Sequence, residues 1–88
     1  EFGNARHRRG MLRFQQQRFD EALDDVRAAL EDPHVEPYAY NTLGTIYLAI
    51  KLPEQAVGAY DEMLQHLPED VTALSNRSHV LTQLKRYE

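Results

Sequence analysis

Four histidines, His7, His34, His66 and His79, are the side chains best placed by type to ligate a metal or move a proton near neutral pH. None belongs to an HExxH pair or to a short histidine–carboxylate cluster, so the sequence offers no metal site. Ser75 and His79 stand one helical step apart, close enough for a nucleophile and its base. A working nucleophile also needs a buried orienting group and oxyanion donors, and no residue pattern supplies them. The glycines Gly3, Gly10, Gly44 and Gly58 are spread singly through helical pattern, without the GxGxxG or P-loop arrangement that cradles phosphate. Asp24, Asp25, Glu31, Asp32, Asp61 and Glu62 fall on the expected outer faces of helices, where carboxylates are solvated. The chain therefore reads as a non-enzyme with no cofactor and no metal.

What must position these residues is small. Eighty-eight residues make one domain, with 42% hydrophobic and 27% charged side chains, a balance that folds. The formal net charge of −4 disfavours nucleic acid as a partner, because neutralising phosphates takes clustered Lys and Arg. One stretch departs from that balance. Arg6, Arg8, Arg9, Arg13 and Arg18 make the start basic, and they read as ion-pair partners for the acidic run from Asp20 to Asp32. No apolar stretch is long enough for a membrane span or signal peptide, and the absence of Cys suits a reducing compartment, which gives a cytoplasmic expectation. Residues 1–3 precede the first periodic position and read as a tag or linker remnant.

Self-similarity organises the rest. Gly10, Gly44 and Ser78 are 34 residues apart, as are Ala5, Ala39 and Ala73, and Leu12, Ile46 and Val80. The same step joins Ala22 to Ala56, Leu23 to Val57, Val26 to Tyr60, Ala29 to Met63 and Leu30 to Leu64. Apolar residues follow steps of three and four, so each unit is a pair of helices. Pro53 fits a first helical turn, Pro68 closes a helix, and Pro33 and Pro37 bound the turn between units. The expected helices span about 4–17, 20–32, 37–51, 53–67 and 70–86. The units are 4–36, 37–70 and a single helix in 71–88.

A 34-residue helix–turn–helix unit with a small residue in its first helix, Ala in its second and Pro at its end resembles the tetratricopeptide repeat. Tyr40, Leu43, Gly44, Tyr47, Ala56, Tyr60, Met63 and Pro68 carry the likeness best. It implies an all-α fold, an α-solenoid of about five antiparallel helices wound as a right-handed superhelix, and an adaptor or scaffold role in protein binding. Gly44 and Ala56 would let paired helices approach closely, and Tyr40, Tyr47 and Tyr60 read as core with a wet hydroxyl.

The resemblance also implies a concave groove built from first helices, able to hold an extended peptide or a partner helix. Its ligand-facing positions fall on Asn4, His7, Met11, Phe14 and Gln15, then Tyr38, Asn41, Thr45, Leu48 and Ala49, then Thr72, Ser75, His79, Thr82 and Gln83. Asn41 is the foremost candidate, since an amide both donates to and accepts from a peptide backbone. Some family members clamp a chaperone's terminal carboxylate with a Lys, Asn, Asn, Lys, Arg set. Here His7, Met11, Thr42, Thr72 and Asn76 occupy those places, which disfavours that ligand. A second expectation concerns the lone third-unit helix: Ala73, Val80 and Leu84 should bury on the preceding hairpin. Leu74, Arg77 and Leu81 would then form a bare edge for self-association into a homo-oligomer. A third makes the chain an accessory module of a larger enzyme.

Overall fold

The computed structural model describes residues 2–86. Among them are five α-helices and no strands: α1 (Phe2–Gln15), α2 (Phe19–Ala29), α3 (Tyr38–Ala49), α4 (Pro53–His66) and α5 (Val71–Arg86). Glu1, Tyr87 and Glu88 lie outside the described residues. Each helix packs on its neighbour in chain order, and α1 additionally lies beside α3. The smallest extent, 17 Å, fits two helix layers about 10 Å apart.

The two hairpins close in the same way. Gln17 and Lys51, one period apart, both adopt left-handed backbone, with φ of 62° and 66°. The Arg18 amide then donates to Arg13 O at 2.9 Å and the Gln17 amide to Phe14 O at 2.9 Å. In the second hairpin the Leu52 amide reaches Tyr47 O at 2.8 Å and the Lys51 amide reaches Leu48 O at 3.1 Å. This is a Schellman closure, and it ends α1 and α3 two residues short of the expected limits. α1 also begins two residues early, at Phe2, because Asp32 Oδ2 accepts the Gly3 amide at 2.8 Å and places a carboxylate at the helix N-terminus. Asp32 Oδ1 takes the His34 amide at 2.9 Å. That local turn spans Pro33 and follows α2, which stops at Ala29, three residues before its expected end. Pro53 opens α4 at a position where its missing N–H costs nothing. Asp70 Oδ1 accepts the Ala73 amide at 2.9 Å and caps α5.

Periodicity in the sequence becomes periodicity in packing. A Cβ built on Gly10 would stand 2.6 Å from Val26 Cγ2, and one on Gly44 would stand 2.6 Å from Tyr60 Cε1. Both hairpins thus close over a glycine at the same place. Ile46 buries with Ala22 and Val26 of the first hairpin. Val80, one period later, buries with Ala56, Ala59 and Tyr60 of the second. Leu12 holds the corresponding place in α1 and is 54% exposed. Leu23 and Leu43 pack against both clusters and join them into one core. Burying a side chain such as Val80 contributes about 1.5–3 kcal/mol, which holds the single helix α5 on α4. Ala73 is fully buried as well, and Leu84 partly so.

Candidate functional site

The first helices meet along a seam, and much of the expected groove stripe lies in it. Asn4 Oδ1 accepts the Glu36 amide at 3.1 Å. His7, one turn on, is 2% exposed. Its Nε2 is 2.7 Å from Thr42 Oγ1, and its Nδ1 is 3.3 Å from Glu36 Oε1 without hydrogen-bond alignment. Burial is the leading influence on the ring and lowers its pKa below the ordinary 6.5, outweighing the opposing pull of Glu36, while Arg8 pushes the same way as burial. Asn4 and His7 are therefore engaged inside the chain.

One period later the seam repeats with different chemistry. Asn76 Nδ2 of α5 donates to Asn41 Oδ1 of α3 at 2.9 Å. Asn41 occupies the place of His7, and Asn76 the place of Thr42, with the same sequence separation of 35. The amide donors of Asn41 have no partner among the described residues. Thr45 Oγ1 donates to Asn41 O at 3.0 Å.

Beyond His7 the seam opens into a cleft of about 250 Å³ lined by Met11, Phe14 and Gln15 from α1 and by Asn41, Thr42 and Thr45 from α3. Met11, Asn41 and Thr45 thus line one cleft. Phe14 and Gln15 join them, and Thr42 is an addition on this wall. Phe14 is steadied by Phe19, with ring centroids 5.4 Å apart. Tyr38 is exposed near one end of α3, and Leu48 packs partly into the core instead of facing the cleft. Ser75 and His79 lie exposed on α5, away from the cleft lining, and His79 Nε2 is 3.2 Å from Gln83 Nε2.

A larger cleft of about 390 Å³ lies at the base of the first hairpin, between Phe2, Arg6, Ala28, Glu31 and Asp32. Two of its polar side chains already have contacts within the chain. The Arg6 guanidinium sits 4.1 Å over the Phe2 ring, and Asp32 holds the Gly3 and His34 amides. Those bonds keep the Asp32 carboxyl below the usual carboxylate range.

The carboxylates expected on the outer faces of the second helices are not all solvated. Asp25 is buried, at 4% exposure, because Arg9 Nη2 donates to its Oδ1 at 2.7 Å and Arg13 Nη1 approaches its Oδ2 at 3.2 Å. A buried carboxylate is held only where cations meet it, and the basic start of the chain provides two. Arg18 pairs with Glu21 at 2.6 Å, which lowers the Glu21 pKa. Tyr60 is also less wet than expected: it is 1% exposed, and burial raises its phenol pKa against a hydrogen bond with Thr45. The Tyr47 hydroxyl accepts a hydrogen bond from Arg27 Nη2 at 2.8 Å. Tyr40 stacks on His66 at 5.6 Å.

On the third-unit helix, Leu74 is 44% exposed, whereas Leu81 is partly buried and Arg77 forms an ion pair with Asp61 of α4. Among the described residues no group of three His, Asp or Glu side chains is arranged to hold a metal, and no helix is long and apolar enough to cross a membrane. No protein-family model matches the sequence, and no curated protein matches it.

Proposed function

We propose that this chain is a tetratricopeptide-like binding scaffold, whose hairpins continue one another as a solenoid and whose first helices form the wall that receives an extended peptide or partner helix. The observation that supports it most is the cleft between α1 and α3. There an apolar floor, Met11 and Phe14, stands beside an amide and two hydroxyls from Asn41, Thr42 and Thr45. Apolar surface with a few placed polar groups is the chemistry of peptide recognition: the floor supplies burial, and the Asn41 amide donors, without a partner among the described residues, fix a backbone carbonyl. The lining carries no charge, so the ligand segment is expected to be neutral. Asn41→Ala is expected to weaken a selected peptide severalfold, in line with a lost hydrogen bond of about 0.5–1.5 kcal/mol. Isothermal titration with a helicity check reads this out, and unchanged affinity removes Asn41 from the site.

A second reading, self-association through the α5 edge, draws support from the exposure of Leu74. Light scattering over a hundredfold concentration range decides it. A constant monomer mass ends that reading, and a rising mass abolished by Leu74→Glu supports it.

A further inference from the structure

We propose that His7 is a proton-operated latch across the α1–α3 seam: protonating its ring loosens the first hairpin from α3 and reshapes the adjoining cleft. His7 is 2% exposed and bridges two helices, with Thr42 of α3 on one nitrogen and Glu36 of the preceding loop beside the other. Glu36 favours the tautomer with the proton on Nδ1, which leaves Nε2 to accept the Thr42 hydroxyl at 2.7 Å. A second proton on the ring turns Nε2 into a donor. The Thr42 hydroxyl must then reverse and give its proton elsewhere, and its other contact, Tyr38 O, stands at 3.5 Å.

The new charge is poorly compensated. Glu36 is 56% exposed, so water screens its attraction for a cation that itself has almost no water. Arg8, on the same helix, opposes the charge. From α3 the ring meets the neutral Thr42. At the facing α2, Asp25 is held by Arg9 and Arg13, and beyond its end Asp32 is held by the Gly3 and His34 amides. The neutral ring therefore suits the closed seam. Its contribution is fully present above the ordinary histidine value of 6.5, fades as the unfolded chain takes up protons below that, and stops falling once the folded ring is protonated too.

The chain contains its own control. The equivalent seam between α3 and α5 is closed by Asn41 and Asn76, neither of which titrates in this range. Since Thr42 lines the cleft, the consequence for ligand capture rests on the scaffold reading, but the latch itself is read without any ligand.

The test copies the second seam into the first, as the double variant His7→Asn, Thr42→Asn. Urea midpoints are measured at about pH 7.5 and about pH 5.5, on either side of the histidine range. The wild-type midpoint is expected to fall on acidification and the variant's to hold, although His34, His66 and His79 remain in both. An equal fall in both proteins overturns the latch. If the variant does not fold, the wild-type NMR titration decides. The Thr42 and Tyr38 amides should shift, and exchange faster after correction for intrinsic rates, with the midpoint of the His7 ring. Silence at those amides while the ring titrates overturns the proposal, and either result leaves the peptide-binding test independent.

Discussion

The two hairpins share one backbone plan and fill it with opposite chemistry. In the second, Leu43, Tyr47 and Ala59 meet in an apolar contact that belongs to the core. In the first, Arg9, Arg13 and Asp25 hold those same three places one period earlier and form a part-buried ion cluster. Glycine against a bulky side chain, Gly10 on Val26 and Gly44 on Tyr60, is common to both. So are the left-handed turn residues Gln17 and Lys51. Close approach and turn geometry are thus what the fold requires, while the filling of the helix pair is free to vary as long as every buried charge is met.

The largest expected effect deepens this contrast. Tyr60→Ala removes a ring that is 1% exposed and lies over Gly44, at an expected cost of about 3–5 kcal/mol. Val26→Ala deletes fewer atoms from the equivalent place and should cost less. Denaturant midpoints compare the two, and the reverse order would mean that the first hairpin, not the second, dominates the core.

A graft of the second filling into the first comes next. Asp25→Ala alone strands the two arginines, at about 1–3 kcal/mol. The triple change Arg9→Leu, Arg13→Tyr, Asp25→Ala should instead leave stability unchanged or raise it by about 1–4 kcal/mol, because a buried ion cluster seldom exceeds an apolar one of similar shape. A triple variant weaker than Asp25→Ala would show that the hairpins are not interchangeable at these places.

The smallest effect checks what the hairpins share. Gln17→Gly and Lys51→Gly relieve left-handed strain in side-chain-bearing residues and should each gain up to about 1 kcal/mol. Similar gains are expected because both sit in the same Schellman closure, and a gain at one site alone would separate the turns.

Helix number, order and approximate limits were legible in the sequence, because the step from Gly10 to Gly44 and from Val26 to Tyr60 marks packing positions, and packing decides these elements. Helix ends were less so. Gln17 and Lys51 carry no sign of left-handed backbone in their residue type, and the reach of Asp32 to Gly3 crosses 29 residues. The candidate site was half legible. Met11, Asn41 and Thr45 do meet at one cleft, whereas Asn4 and His7 spend their polar atoms inside the seam. A ligand-facing stripe and a seam-facing stripe differ by a fraction of a helical turn, and spacing cannot separate them. The burial of Asp25 is illegible in the sequence for another reason: only the three-dimensional meeting of Arg9 and Arg13 shows that a carboxylate can be buried there.

The claim that matters most is that the wall of first helices, and not the outer face of α2 and α4, receives a ligand. A peptide selected from a random library against the folded chain, followed by NMR mapping of its bound position, addresses that claim directly. Intermolecular contacts are expected at Met11, Phe14, Asn41 and Thr45. Contacts confined to the acidic outer residues, such as Asp24 and Glu62, or the absence of any selected binder, would contradict it.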